Sequence, residues 1–329
     1  MKTDTSLNGQ SVLVTGGAGF IGSHIIDELL KHGVRVRALD NLATGSLENL
    51  THCLDRIEFL EGDIRDLATC QEACDGVSVV FHEAALGSVP RSVLDPAGTM
   101  AVNVCGTANV FTAARDAKVK RVIFASSSSV YGDSEGSPKR EGEEGRPLSP
   151  YAVSKVMNEE LADVFARCYE MEMIGLRYFN VFGPRQSPNG PYAAVIPRFF
   201  EAYLNGDAPV IYGDGQQSRD FTYVTDAVRA NLLAAEAPHD ACGAVFNVAG
   251  GKGTTVEELA REVREVVGSG LEPRKDPPRP GEIRHSLADL GLAGRRLGYA
   301  PVWSLPQGLS ACRAHYTATR SSNEFEVNR

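Results

Sequence analysis

The sequence predicts an α/β protein, a doubly wound parallel sheet that carries a second, smaller α/β domain at its C-terminal side. Three features predict it. Short runs rich in Val and Ile alternate with longer amphipathic stretches through the first half of the 329 residues, the pattern of βαβ units whose strands are covered on both faces. Three glycines, Gly16, Gly19 and Gly22, fall between the first apolar run and the first helical stretch. Beyond Gly183 the texture changes to segments such as "GPRQSPNGPY" and "EPRKDPPRPGEIRH", whose Pro and Gly content marks a loop-rich layer.

Taken in order, Ser11–Gly16 ("SVLVTG") reads as a strand and Ile21–His32 as the helix after it. Strands follow at Val34–Asp40, Ile57–Asp63, Val77–Ala85 and Arg121–Ser128, with helices at Leu67–Cys74 and Thr99–Ala117 between them. "PLSPYAVSKVMNEELADVF" opens a further helix at Pro150, where the missing N–H of proline costs nothing. A strand is expected over Met173–Gly183, then a helix over Asp226–Ala235 and a last strand over Ala244–Gly250. The expected division is therefore a dinucleotide-binding domain over 10–182, to which 226–250 return, and a substrate-binding domain from 183–225 and 251–316. The polar ends, 1–9 and 320–329, are expected to be tails.

Composition narrows the function. Hydrophobic residues make up 43% and charged residues 23% of the chain, ordinary values for a soluble globular protein. A net charge of -9 argues against an electrostatic grip on nucleic acid or an anionic membrane. No apolar run approaches the roughly 18 residues of a membrane span, and the start "MKTDTSLNGQ" has no apolar signal core. The seven cysteines form no C-x-x-C pair and the seven histidines no ligand spacing, so a cytoplasmic protein with reduced thiols and no metal centre is expected.

The glycine spacing G-x-x-G-x-x-G lets backbone amides approach a pyrophosphate at a helix N-terminus, where negative charge is favoured. Asp40, ending the second strand, would accept hydrogen bonds from both hydroxyls of an adenosine ribose, and its charge repels a 2′-phosphate, so NAD is expected over NADP. Asp63, ending the third, would sit beside the adenine. With a dinucleotide present, Tyr151 and Lys155 gain meaning, because four residues apart they share one helical face. A free phenol titrates near ~10, and positive charge from Lys155 and the nicotinamide ring would favour the phenolate. The serines of "ASSSSVYG" supply a third polar group at the end of a strand.

At this point the chain resembles the extended short-chain dehydrogenase/reductase family, the nucleotide-sugar epimerases and dehydratases built on a Rossmann domain. T-G-x-x-G-F-I-G, "HEAA", S-S-S-x-V-Y-G, Y-x-x-x-K and "LRYFNVFGPRQ" occur in the family's order between about Ser11 and Tyr316. The resemblance implies Tyr151 as general base, Lys155 as its partner and Ser127 as the catalytic hydroxyl. It implies cofactor contacts at Phe20, Ile21, Asn41, Ile64, Ala84, Asn103 and Tyr178, and substrate contacts at Ser88, Ser128, Asn180, Ala194, Val195, Arg219 and Arg284. Guanidinium groups suit diphosphate oxygens. Dehydratases of the family carry an Asp-Glu pair before "VYG" and decarboxylases a Glu there. Ser128 and Ser129 occupy those places here, and a hydroxyl cannot replace a carboxyl as general acid.

That leaves 4-epimerisation of a UDP-hexose through a 4-keto sugar. "AALGSVPRSVLDP", "SRDF" and "GEIRHSLAD" resemble bacterial epimerases that accept UDP-N-acetylhexosamines. Where relatives restricted to glucose and galactose place a bulky tyrosine, Gly291 is expected, leaving room for an acetyl group; acetyl-preferring relatives tend to carry serine there. UDP-glucuronate 4-epimerisation, a nucleotide-sugar oxidoreductase and a non-catalytic nucleotide sensor are the alternatives. The family also implies a homodimer through a four-helix bundle, for which Ala108, Phe111, Met157, Leu161 and Phe165 are candidates.

Overall fold

The first strand, β1 (Ser11–Thr15), lies inside a seven-stranded sheet, beside its central strand, in the computed structural model, which describes residues 7–188, 193–278 and 284–327, the side chains of 319–327 excepted. β1 pairs in parallel with β2 (Arg35–Asp40) on one side and β4 (Val79–His82) on the other. β3 (Glu58–Glu61) extends the sheet beyond β2. β5 (Arg121–Ser127), β6 (Glu172–Tyr178) and β7 (Ala244–Val248) extend it beyond β4, all in parallel. The order reverses between β1 and β4, and in such sheets the crevice outside the strands' carboxyl ends at that point is where ligands bind.

Alternate residues of each strand feed two different cores. Val12, Val14, Phe81, Ile123 and Ile174 pack on one face and Leu13, Val80, Val122, Phe124 and Met173 on the other, all buried. Two-sided burial explains why these strands read as continuous apolar runs rather than alternating ones. The helices Phe20–Lys31 and Val224–Glu236 cover the first face; Leu67–Cys74, Thr107–Asp116 and Pro150–Tyr169 cover the second. A third core joins Phe199 and Phe200 of the helix Val195–Asn205, Leu259 and Val263 of the helix Val256–Val267, and Leu309 and Tyr316 of the helix Leu305–Val327.

Several expectations change in detail. Met173–Gly183 is not one strand: β6 stops at Tyr178, Asn180 takes a positive φ of 32°, and Val181–Phe182 pair instead with Thr222–Tyr223. The helix expected over Thr99–Ala117 is interrupted by a π-type turn at Ala101–Gly106, a feature often found at functional sites. Leu7, placed with the N-terminal tail, is buried in the first core, and the last helix runs on to Val327. No helix among the described residues is long and apolar enough to cross a membrane.

Candidate active site

Gly16 closes β1 with a φ of +67°, and a Cβ there would come within 2.8 Å of the Ala84 amide nitrogen. The next helix starts at Phe20 with Gly19 as its extended cap and no side chain bonded to its end. A Cβ on Gly22 would lie 2.2 Å from the Gly16 carbonyl oxygen, so glycine is required for the helix to sit this close to the strand. The result is an uncapped helix N-terminus facing a cavity of about 960 Å3, the donor set that a pyrophosphate needs.

Asp40 reaches that cavity from the end of β2. Its carboxylate accepts the amide protons of Ala18 at 3.0 Å and Leu42 at 2.8 Å, which fixes it beside the loop, while burial raises its proton affinity. Asp63 accepts from Arg65 at 2.7 Å and Asn41 at 2.8 Å, and the arginine's hydrogen bonds hold it down to about 2. Phe20, Ile21, Asn41, Ile64, Ala84 and Tyr178 line the same cavity. Asn103 does not. It is fully buried and acts at one remove, accepting from the Leu86 amide at 2.8 Å and donating to the Leu86 carbonyl at 3.2 Å, so it shapes the loop that does line the cavity.

Ser127, Ser128, Tyr151 and Lys155 complete this wall. Ser149 caps the helix Pro150–Tyr169, its hydroxyl accepting from the Ala152 amide at 3.1 Å, and so aims the first turn. The Ser127 hydroxyl shares this wall with Tyr151 and favours loss of the phenol's proton. Lys155 is buried and donates to the Ala125 carbonyl at 2.7 Å, its Nζ lying 5.9 Å from the Tyr151 ring centre. The electrostatics depart from expectation. Burial raises the Tyr151 phenol above its usual value; the Ser127 hydroxyl opposes this, Glu83 adds to it, and Lys155 has no resolved part in it. Burial also lowers Lys155 to about 8, against the pull of Glu83 and Glu159.

The substrate residues divide. Asn180 and Arg219 line both this cavity and an adjoining one of about 390 Å3, Ala194 lines the first, and Val195 the second. Ser88 is a helix cap, its hydroxyl accepting from the Arg91 amide at 3.2 Å, beside rather than on the wall. Arg284 turns outward, exposed and paired with Asp214 at 2.7 Å. Gly291 is not a wall residue: it starts the helix Gly291–Leu297, its amide bonded to Asp289 at 2.7 Å and its Cβ direction met by Asp289 and Arg295. The residue of this segment that lines the cavity is Ser286. Its amide donates to the Ser218 carbonyl at 3.1 Å, and the bridge between Ser218 and His285 sets its direction. Sequence reasoning also missed Glu83, which lines the cavity from the end of β4; its signal was a carboxylate inside "HEAA", directly after a buried strand.

A glycine turn at a helix N-terminus, an acidic residue ending β2 and a Ser–Tyr–Lys set in one cavity define a dinucleotide-dependent enzyme. Comparison agrees. Residues 12–249 match the model of the NAD dependent epimerase/dehydratase family, and the chain belongs to that family. A UDP-glucose 4-epimerase of Mycolicibacterium smegmatis is 40% identical over 302 residues, covering 91% of this chain and 96% of that protein. A UDP-N-acetyl-alpha-D-glucosaminuronate decarboxylase of Bacillus cytotoxicus is 37% identical over 262 residues, 78% of this chain and 80% of that one. Among solved structures, the UDP-N-acetylglucosamine 4-epimerase of Methanobrevibacter ruminantium M1, in complex with UDP-N-acetylmuramic acid, superposes with a TM-score of 0.91 at 40% identity, covering 95% of this chain and 99% of that chain.

Proposed function

We propose that this protein is a cytoplasmic NAD-dependent UDP-sugar 4-epimerase whose preferred pair is UDP-N-acetylglucosamine and UDP-N-acetylgalactosamine. The observation that carries the reaction is the placing of Ser127, Tyr151 and Lys155 together on the wall of the cavity that the glycine loop also lines. Gly16, Gly19 and Asp40 on the cavity wall would hold NAD, which would supply the reversible hydride acceptor that oxidation and re-reduction at carbon 4 of the sugar require. Tyr151 removes the proton of the 4-hydroxyl at its phenolic oxygen, Ser127 eases the loss of that oxygen's own proton, and Lys155, 5.9 Å from the ring centre, adds positive charge beside the phenolate once it forms. Elimination or decarboxylation would call for a carboxyl beside the reacting carbon, but Ser128 and Ser129 line the wall there. The relatives' substrates support UDP as the nucleotide, and Arg219, reaching both cavities, is placed to meet a diphosphate.

Ser286 supports the acetylated sugar, because a serine on this wall leaves volume that a tyrosine would fill. The cytoplasmic assignment is supported by all seven cysteines being free. The test is purified protein given a panel of UDP-sugars with no added cofactor. Interconversion of the acetylated pair is expected. Turnover that consumes added NAD(P)H in proportion to product would favour the oxidoreductase alternative instead.

A further inference from the structure

Glu83 has no part in the mechanism above, yet it faces the same cavity as Tyr151 and Lys155. It directly follows His82, the last residue of β4. Its carboxylate accepts a hydrogen bond from the Tyr178 hydroxyl at 2.8 Å. That hydroxyl accepts in turn from the Asn231 side-chain amide at 2.7 Å, and Asn231 also donates to the Ala227 carbonyl at 3.0 Å. Asn231 is fully buried and Tyr178 nearly so. The amide nitrogen can only donate, so the phenol must pass its own proton toward Glu83, and the chain runs in one direction. Such a chain aims a carboxylate; it is not a chance surface contact.

We propose that Glu83 is the counter-charge of the Lys155–Tyr151 pair, a positioning residue whose carboxylate, aimed by Tyr178 and Asn231, keeps Lys155 protonated and opposes early loss of the Tyr151 proton. The inference rests on the reading of Tyr151 as the base. The other charged or titratable neighbours are already engaged. From the helix Pro150–Tyr169, Glu159 accepts from Arg177 of β6 at 2.7 and 2.9 Å and from the Ser126 hydroxyl of β5. On β4, His82 lies between the Thr15 and Thr107 hydroxyls at 2.7 and 2.9 Å, and burial keeps it neutral. Ser127 at the end of β5 accepts from the Ser129 amide at 3.1 Å. Of the two carboxylates whose charge acts on Lys155, Glu159 is paired with Arg177, while Glu83 lines the cavity with Lys155 and is held by the Tyr178 hydroxyl. Burial pushes Glu83 up to about 7 while the Tyr178 bond and Lys155 pull it back. Glu83 in turn raises both Lys155 and Tyr151.

Glu83→Gln keeps the shape and the acceptor for Tyr178 but removes the charge. The sign follows from the two couplings. Without the carboxylate, Lys155 and Tyr151 both lose their protons more easily. The acidic limb of the kcat profile, where Tyr151 must give up its proton, and the alkaline limb, where Lys155 must keep its own, both move to lower pH by about one unit. A purely structural role would lower kcat without moving either limb.

The experiment compares wild type, Glu83→Gln and Glu83→Asp as NAD-loaded proteins, by pH profile of UDP-sugar epimerisation and by titration of the Tyr151 phenolate. The phenolate is followed by its near-ultraviolet absorbance, with Tyr151→Phe in each background subtracted. The Gln variant should shift both readouts and the Asp variant should stay near wild type. Limbs and phenolate titration that do not move in Gln, or that move equally in Asp, would overturn the inference. If wild type epimerises no UDP-sugar, the proposed reaction fails on its own, while the absorbance titration still decides the role of Glu83.

Discussion

Tyr151 sits in surroundings that work against its proposed task, since burial holds its proton on while the reaction needs it off. Ser127 and the charge of Lys155 must supply the difference, which makes the hydroxyl of Tyr151 indispensable rather than helpful. Tyr151→Phe is expected to lower kcat by about 10²–10⁴-fold, the usual worth of a placed general base, with circular dichroism and bound dinucleotide unchanged. A variant turning over near the wild-type rate would remove Tyr151 from the mechanism. In the proposed reading, the choice of sugar falls to Ser286 on the cavity wall. Its replacement by Tyr fills wall volume, and overpacking a formed site costs about 1–3 kcal/mol, roughly one to two decades in rate. Ser286→Tyr should therefore lower kcat/KM for UDP-N-acetylhexosamines by that factor and spare UDP-glucose and UDP-galactose. An unchanged ratio between the two substrate classes would mean that the wall lies elsewhere.

At the scale of elements, the strand–glycine–helix unit offers a cofactor only backbone groups at an uncapped helix start, so its failure mode is steric. The Gly22 Cβ direction meets the Gly16 carbonyl at 2.2 Å, a backbone atom that cannot swing aside. Gly22→Ala is expected to lose about 1–3 kcal/mol of stability and most of its dinucleotide, measured by extracting denatured protein; wild type should release NAD(H) in that assay because the proposed cycle regenerates it. This unit was legible in the sequence because every part of it lies within one stretch of chain, Ser11 to Lys31, and local sterics decide it. The Tyr151–Lys155 spacing was legible for the same reason. The substrate wall was not. Whether Arg284, Ser286 or Gly291 faces the cavity depends on the contact of 284–286 with Ser218, a partner about 67 residues away, and counting along the chain cannot supply that register. Nor could helical periodicity show the π-type turn at Ala101–Gly106, which accompanies a buried Asn103 turned onto the Leu86 backbone.

At the scale of the whole molecule, the open matter is whether two copies associate. The residues considered for a helix-pair interface separate into two groups. Phe111 and Phe165 point inward, where their rings meet edge to face at 5.7 Å in the second core, so they stabilise the chain itself. Met157 stays 44% exposed and Val164 40% exposed, with Leu161 half-buried between them on the same helical face. Val89, Val93 and Leu94, on the neighbouring helix Val89–Leu94, are exposed too, and Ala108 is half-buried. A second copy of this chain suits such a face, because a two-fold axis would bury each of these side chains twice, at about 1.5–3 kcal/mol for a fully buried large one. Two chains of net charge -9 repel each other, so the apolar face must carry the association, and added salt should strengthen it by screening the repulsion. Light scattering at micromolar concentration is expected to give a dimer mass for wild type, and a monomer mass for Met157→Asp, which sets two carboxylates near the axis. The site is lined within one chain, so the monomeric variant should keep its bound NAD. A wild-type mass of one chain across a range of salt would leave this face without its second copy.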